Sequence, residues 1–244
     1  MENEDFIFTF DPNDRINMAK KVNNIVKKHN FCIVKKFNSV ETQRNILSFV
    51  KNRFDKNSDI RSSGGFKFKM KDYQRLDIGD SYQNSRFSRY MLFCEWNNHN
   101  EVLYKLIKPL LDFRNEFSKI EKSDFQYSYG DNYGNAEHYD SLGEFASKGC
   151  LCDVIRSIQY PTGGGFLSMH SDLDEQFYHS KMLNVLLPLT TRIKNKGDKS
   201  FQKFKSGGLY YFHNEKKIDV EDIIESGDLV IHNQNIEHGV NSID

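Results

Sequence analysis

Eight histidines are spread through the chain, and four of them stand two residues before an acid: His99-Asn-Glu101, His138-Tyr-Asp140, His170-Ser-Asp172 and His213-Asn-Glu215. Residues i and i+2 of a β-strand project from the same face, so each pair can offer an imidazole and a carboxylate to one ion. With a distant imidazole added, a metal is held on one side and left open on the other. That arrangement suits an iron(II) ion that must also take a co-substrate and oxygen. The spacing is a weak signal by itself, because a chain this rich in histidine and acid contains about one such match by chance.

Context selects among the four. His138 follows the polar stretch Tyr129-Gly-Asp-Asn-Tyr-Gly-Asn135, where no apolar strand holds it. His99 follows Trp96-Asn97-Asn98 at the start of an expected helix, and His213 ends a strand at the charged turn Asn214-Glu215-Lys216-Lys217. His170 alone follows a strand and a Gly-rich turn and precedes further strands. A later histidine, His238, sits on another expected strand, and the interval between the two leaves room for the strands of a jelly roll.

The elements that must position these residues divide by texture. A helix is expected from Asp14, as N-cap, to Lys28, with Ile16, Val22, Ile25 and Val26 near one face. Phe31-Cys32-Ile33-Val34 is a short apolar strand, and a second helix after Ser39 buries Ile46, Leu47, Val50 and Phe54. The polar, Gly-containing stretch between Asp55 and Ser88 is expected as an extended loop region with short strands. Residues 101–117 have helical spacing with Pro109 inside, predicting a kinked or interrupted helix. From Asp153 onward strands and turns alternate: 153–160, 183–189, 207–212, 228–232 and a strand starting at Ile236, with a helical turn capped by Asp219 and stopped at Gly227. The predicted architecture is α+β, a double-stranded β-helix (jelly roll, cupin-like) buttressed by N-terminal helices. One domain spans 1–244, with 1–120 as helical support and substrate loops and 150–244 as the jelly-roll core.

The run Ile158-Gln-Tyr-Pro-Thr-Gly-Gly-Gly-Phe-Leu-Ser-Met-His-Ser-Asp172, followed by Ser206-Gly-Gly-Leu209, Ser226-Gly-Asp-Leu-Val-Ile231 and Ile236-Glu-His-Gly-Val240, resembles the Fe(II)/2-oxoglutarate-dependent oxygenases. The likeness is strongest to the small-molecule hydroxylases related to phytanoyl-CoA and prolyl hydroxylases. It covers about the last third of the chain, in order. The resemblance implies that His170, Asp172 and His238 ligate Fe(II) and form the catalytic centre. It also implies 2-oxoglutarate and O2 as co-substrates, and a hydroxylation coupled to oxidative decarboxylation of 2-oxoglutarate to succinate. Tyr160 resembles the position from which a family tyrosine contacts 2-oxoglutarate; its other reading is a packed aromatic.

The family commonly clamps the far carboxylate of 2-oxoglutarate with a basic residue, often arginine, one strand beyond the distal histidine. None of Gly239-Val-Asn-Ser-Ile-Asp244 is basic. Two expectations follow: the sequence continues beyond Asp244 to an arginine, or the anchor comes from elsewhere. Lys181, which matches the lysine of Jumonji-type enzymes, and Arg156, on the strand before the Gly-rich turn, are the candidates for the second.

The charges cancel, with Lys+Arg 34 against Asp+Glu 34, which disfavours a protein built to grip nucleic acid or an anionic membrane. Twenty Phe and twelve Tyr supply enough apolar surface for a core. The acidic start Met1-Glu-Asn-Glu-Asp5 is unlike a secretory leader, and a cytoplasmic protein with reduced thiols is expected from its 4 Cys. Arg192, Lys194, Lys196, Lys199, Lys203 and Lys205 against Asp198 make a local basic segment, either a solvated loop or a meeting place for an anionic small molecule. Arg75, Arg86 and Arg89 are candidates for substrate contact, whereas His232 and His179 read as structural or ligand-supporting histidines. A hydroxylase of a small molecule is the leading functional reading. A peptide or protein side chain is the next substrate class, and a jelly-roll module that binds metal or ligand without turnover is the competing class.

Overall fold

The computed structural model describes residues 5–56, 66–70, 73–78, 83–92, 101–120, 156–160, 162, 164–172, 183–195, 197 and 199–244. For 53–56, the strands between 66 and 92, residue 118, and most of 101–104 and 156–159 it gives the backbone alone. Strand β1 (Ile7–Thr9) leads into helix α1 (Arg15–His29), which buries Ala19, Val22, Asn23, Ile25 and Val26 along one stripe. The helix stops where Asn30 takes a φ of 66° and its N–H bonds to the Val26 carbonyl. Asp14 makes no capping bond; its carboxylate accepts from the Asn17 side chain at 2.9 Å instead.

Strand β2 (Phe31–Lys35) and helix α2 (Val40–Lys56) follow. Ser39 caps α2, its Oγ accepting from the Thr42 N–H at 3.1 Å. Ile46 and Val50 are buried as expected, packed with Ile107 of α3 (Glu101–Glu116); Leu47 is half-buried, and Phe54 lies outside the described side chains. Helix α3 runs through Pro109 and ends in a short 3-10 turn, Phe117–Lys119, so the proline costs one intrahelical donor without ending the element.

Three strands, β3 (Phe66–Met70), β4 (Tyr73–Ile78) and β5 (Gln83–Leu92), lie in the segment expected as an extended loop region with short strands, and β5 runs past its end. The period-two alternation of Phe66-Lys-Phe-Lys-Met70 is the local sign of β3. Beyond them come β6 (Arg156–Gln159), β7 (Gly165–His170), β8 (Leu183–Leu186), β9 (Thr191–Arg192), β10 (Gln202–Phe204), β11 (Gly208–His213), β12 (Lys216–Asp219), β13 (Leu229–Asn233) and β14 (Glu237–Ile243). A larger sheet runs β12-β11-β14-β7-β5-β4-β3, with β6 beside β5, and a smaller one runs β1-β2-β13-β8. The result is a double-stranded β-helix of α+β class. Its core joins α1, β2, β11 and β13: Phe31, Ile33, Tyr211, Leu229 and Ile231 are completely or almost completely buried. Each such side chain stabilises the fold by about 1.5–3 kcal/mol.

The Gly-Asp-Leu mark at 227–229 is a structural joint. Gly227 has a φ of 90°, and a Cβ there would lie 2.5 Å from the Asn38 carbonyl oxygen. Buried Asp228 pairs with the Lys35 ammonium, accepts from the Lys36 N–H at 2.8 Å and from the Glu225 N–H at 2.7 Å. These contacts register β13 against β2. The basic segment is partly committed to structure as well: Arg192 pairs with Asp219 at 2.8 Å and with Asp222, and Lys194 Nζ donates to the Ile224 carbonyl at 2.6 Å. No helix among the described residues is long and apolar enough to cross a membrane.

Candidate metal centre

The ladder of the larger sheet assembles the centre. His170 ends β7, and its antiparallel partner on β14 is His238; on the other side of β14, Tyr211 of β11 stands opposite His238. Directly opposed residues of antiparallel strands share a face, so the three rings lie side by side. Ring centroids are 4.4 Å apart for His170 and His238 and 6.0 Å apart for Tyr211 and His238. Gly239 permits this closeness, since a Cβ there would sit 2.6 Å from the Tyr210 hydroxyl and 2.8 Å from the Leu167 carbonyl oxygen. Asp172 follows two residues beyond the end of β7.

Asp172 is where the histidines converge. Its Oδ1 is 3.5 Å from His170 Nε2, and its Oδ2 is 3.7 Å from His238 Nε2 and 3.4 Å from His232 Nε2. One donor atom from each of His170, Asp172 and His238 lies within 4.8 Å of the others, a spacing that can hold a single ion. Both imidazoles of that set are nearly buried, while Asp172 keeps partial access to solvent.

Hydrogen bonding sorts the nitrogens. His170 Nδ1 meets the Ser168 carbonyl at 2.9 Å and His238 Nδ1 meets the Ile236 carbonyl at 3.1 Å. A carbonyl oxygen only accepts, so both Nδ1 atoms carry the proton and both Nε2 atoms turn a lone pair toward Asp172. The electrostatics agree with a ligand set. Burial opposes ionisation of Asp172, but the histidines gathered around it outweigh that cost and hold the carboxyl well below the usual carboxylate range. Burial, with His232 and His170 adding and Asp172 opposing, pulls His238 down to about 4, so its imidazole stays neutral.

The other sequence-derived candidates fall as follows. Tyr160 follows the end of β6, and its phenol is raised by burial first and then by the Asp172 charge. Arg156 begins β6 opposite Leu92, Arg75 lies on β4 opposite Phe68, Arg86 on β5 opposite Phe166, and Arg89 opposite Gln159; their side chains are outside the described part. Lys181, His99, His138 and His179 lie outside the described residues. His213 stands apart, against His29 at 3.3 Å. Two contributors were not singled out from the sequence. Asn184 of β8 donates to Asp172 Oδ2 at 2.7 Å, and the Tyr211 hydroxyl meets His232 Nδ1 at 2.5 Å. The only trace of Asn184 is a polar residue between Leu183 and Val185 in an apolar strand.

This jelly roll has the fold of the Fe(II)/2-oxoglutarate oxygenases. Among solved structures it is similar to a prolyl-4-hydroxylase from Pseudomonas putida, at 16% identity and a TM-score of 0.53 over 93% of this chain and 92% of the other. It is also similar to a prolyl hydroxylase from Trichoplax adhaerens in complex with a hypoxia inducible factor oxygen degradation domain peptide fragment, at 16% identity and a TM-score of 0.58 over 95% of this chain and 86% of the other. At these identities the likeness is one of fold. No protein-family model matches the chain, and no curated protein sequence does.

Proposed function

We propose that the protein is an Fe(II)- and 2-oxoglutarate-dependent dioxygenase that hydroxylates a small molecule. The observation that carries the reading is the pair of Nε2 lone pairs, fixed by carbonyl bonds at Nδ1, converging with an ionised carboxylate inside this fold. His170, Asp172 and His238 would hold the metal, and two neutral imidazoles with one carboxylate form the donor set that iron(II) oxygenases use. Iron(II) with 2-oxoglutarate supplies C–H hydroxylation coupled to oxidative decarboxylation of the keto acid to succinate.

The chain's own residues supply placement. The paired strands β7 and β14 fix the imidazoles, and the partial exposure of Asp172 gives the centre a mouth to solvent. Tyr160 is the proposed hydrogen-bond partner of the co-substrate, and Lys181 or Arg156 the proposed anchor for the distal carboxylate of 2-oxoglutarate. A peptide side chain is the second reading for the substrate, favoured by the two prolyl hydroxylases of like fold.

The deciding experiment supplies purified protein with Fe(II) and 2-oxoglutarate under air and measures succinate without added substrate. Turnover that disappears in His170→Ala and Asp172→Ala supports the enzyme. Protein that binds Fe(II) but forms no succinate with any candidate substrate is a binding module instead.

A further inference from the structure

Three histidines touch Asp172, and the third differs from the other two in the partner of its far nitrogen. Nδ1 of His232 faces a hydroxyl, that of Tyr211, where the others face carbonyls. A phenol can donate to Nδ1, which leaves the ring proton on Nε2. That nitrogen lies 3.4 Å from Asp172 Oδ2, closes no hydrogen bond at that distance, and belongs to a ring that is almost completely buried. A carboxylate only accepts, so a proton on His232 Nε2 is the arrangement that satisfies both neighbours. A protonated Nε2 has no lone pair for a metal.

We infer that His232 is a positioning residue of the metal centre, donating with Asn184 to one oxygen of Asp172 so that the other oxygen is presented to the ion. The inference rests on the proposed reading of His170, Asp172 and His238 as ligands. The two donors form a matched pair: His232 on β13 and Asn184 on β8 are directly opposed in the smaller sheet. Both reach Oδ2, Asn184 at 2.7 Å and His232 at 3.4 Å, leaving Oδ1 toward His170. Asp172 needs such support because it lies two residues past the end of β7. The Tyr211 bond completes the chain, since Tyr211 stands on the larger sheet; the orientation of the carboxylate is thereby keyed to how the two sheets meet. Partners of this kind change metal affinity by about 10–100-fold when removed.

The test measures binding of Co(II), as a probe for the iron site, to metal-free protein by calorimetry, together with the visible spectrum of the bound cobalt. His232→Leu is expected to bind about 10–100-fold more weakly than wild type, with an altered spectrum. His232→Gln, which returns an N–H near the Nε2 position, is expected to recover most of both. Circular dichroism and the melting point of the metal-free variants establish folding, and His232→Met replaces His232→Leu if the latter does not fold. An apolar variant indistinguishable from wild type overturns the inference, as does a glutamine variant no better than the apolar one. A loss as complete as that of His238→Ala makes His232 a ligand and also overturns it. Wild-type protein that binds no divalent metal overturns the proposed function and this inference together, whereas the other failures leave the proposed function standing.

Discussion

Tyr211 and His232, one from each sheet and both almost completely inaccessible to solvent, meet through a hydroxyl-to-Nδ1 contact of 2.5 Å. A bond in that position couples a stability contribution to the placement of Asp172. Tyr211→Phe keeps the ring on Phe31, 4.8 Å away between centroids, but strands Nδ1 in the core. The expected cost is about 1–3 kcal/mol, the penalty for an unsatisfied buried polar group. Urea denaturation of the metal-free protein measures it; an unchanged midpoint would mean that the contact contributes nothing.

Metal binding should stabilise the folded chain by mass action, because the three donor atoms come together only when the strands that carry them are assembled. The melting temperature of wild type is expected to rise on adding Mn(II). Asp172→Ala and His238→Ala are expected to melt at the same temperature with and without it. A shift of wild-type size in either variant would place the ion elsewhere.

Gly227 carries a φ of 90° with the Asn38 carbonyl oxygen where a Cβ would go, 2.5 Å away. Gly227→Ala therefore meets both backbone strain and a clash with main chain, and should destabilise by about 2–4 kcal/mol. Ser226→Ala beside it serves as the comparison. Equal unfolding midpoints for the two variants would refute the joint described for this segment.

Acid sensitivity is expected from His213. Partial burial lowers its affinity for a proton, His29 at 3.3 Å lowers it further, and Asp5, which contacts His29 at 2.9 Å, opposes them. The unfolded chain thus takes up this proton before the folded one, so the contribution is complete above the ordinary value of 6.5 and is lost as pH falls below it. His213→Gln should lose less stability than wild type between about pH 7.5 and about pH 5.5. Parallel pH profiles for the two proteins would assign the acid sensitivity to other groups.

The convergence of His170, Asp172 and His238, the proposed metal set, was legible because His-x-Asp places two donors two residues apart, and because the Gly-Asp-Leu and His-Gly marks follow it in order. The apolar strands 31–34, 207–212 and 228–232 announced themselves by composition. Asn184 and Tyr211 did not, because their roles depend on β8 lying beside β13 and on β11 lying beside β14, pairings that no local pattern encodes. Short strands were expected between 55 and 88, but not their bounds or their place in the larger sheet, because lysines and serines between aromatics leave no continuous apolar run to mark where each begins and ends. Asp14 does stand at the N-cap position, but its carboxylate accepts from the Asn17 side chain instead of a helix N–H.

The pairing of β2 with β13, fastened by Lys35 and Asp228 across 193 positions, also dictates an order of events during synthesis. When Phe31-Cys-Ile-Val34 leaves the ribosome, the strand destined to cover its edge has yet to be translated. For most of that interval a strongly apolar segment, with β1 to pair one side, waits with its other edge open, which is the condition that invites wrong partners. The same long closure makes the smaller sheet a late and slow step in folding. His232 and Asn184 sit on that sheet, so the support of Asp172 cannot be complete before β13, at the far side of that interval, has been translated.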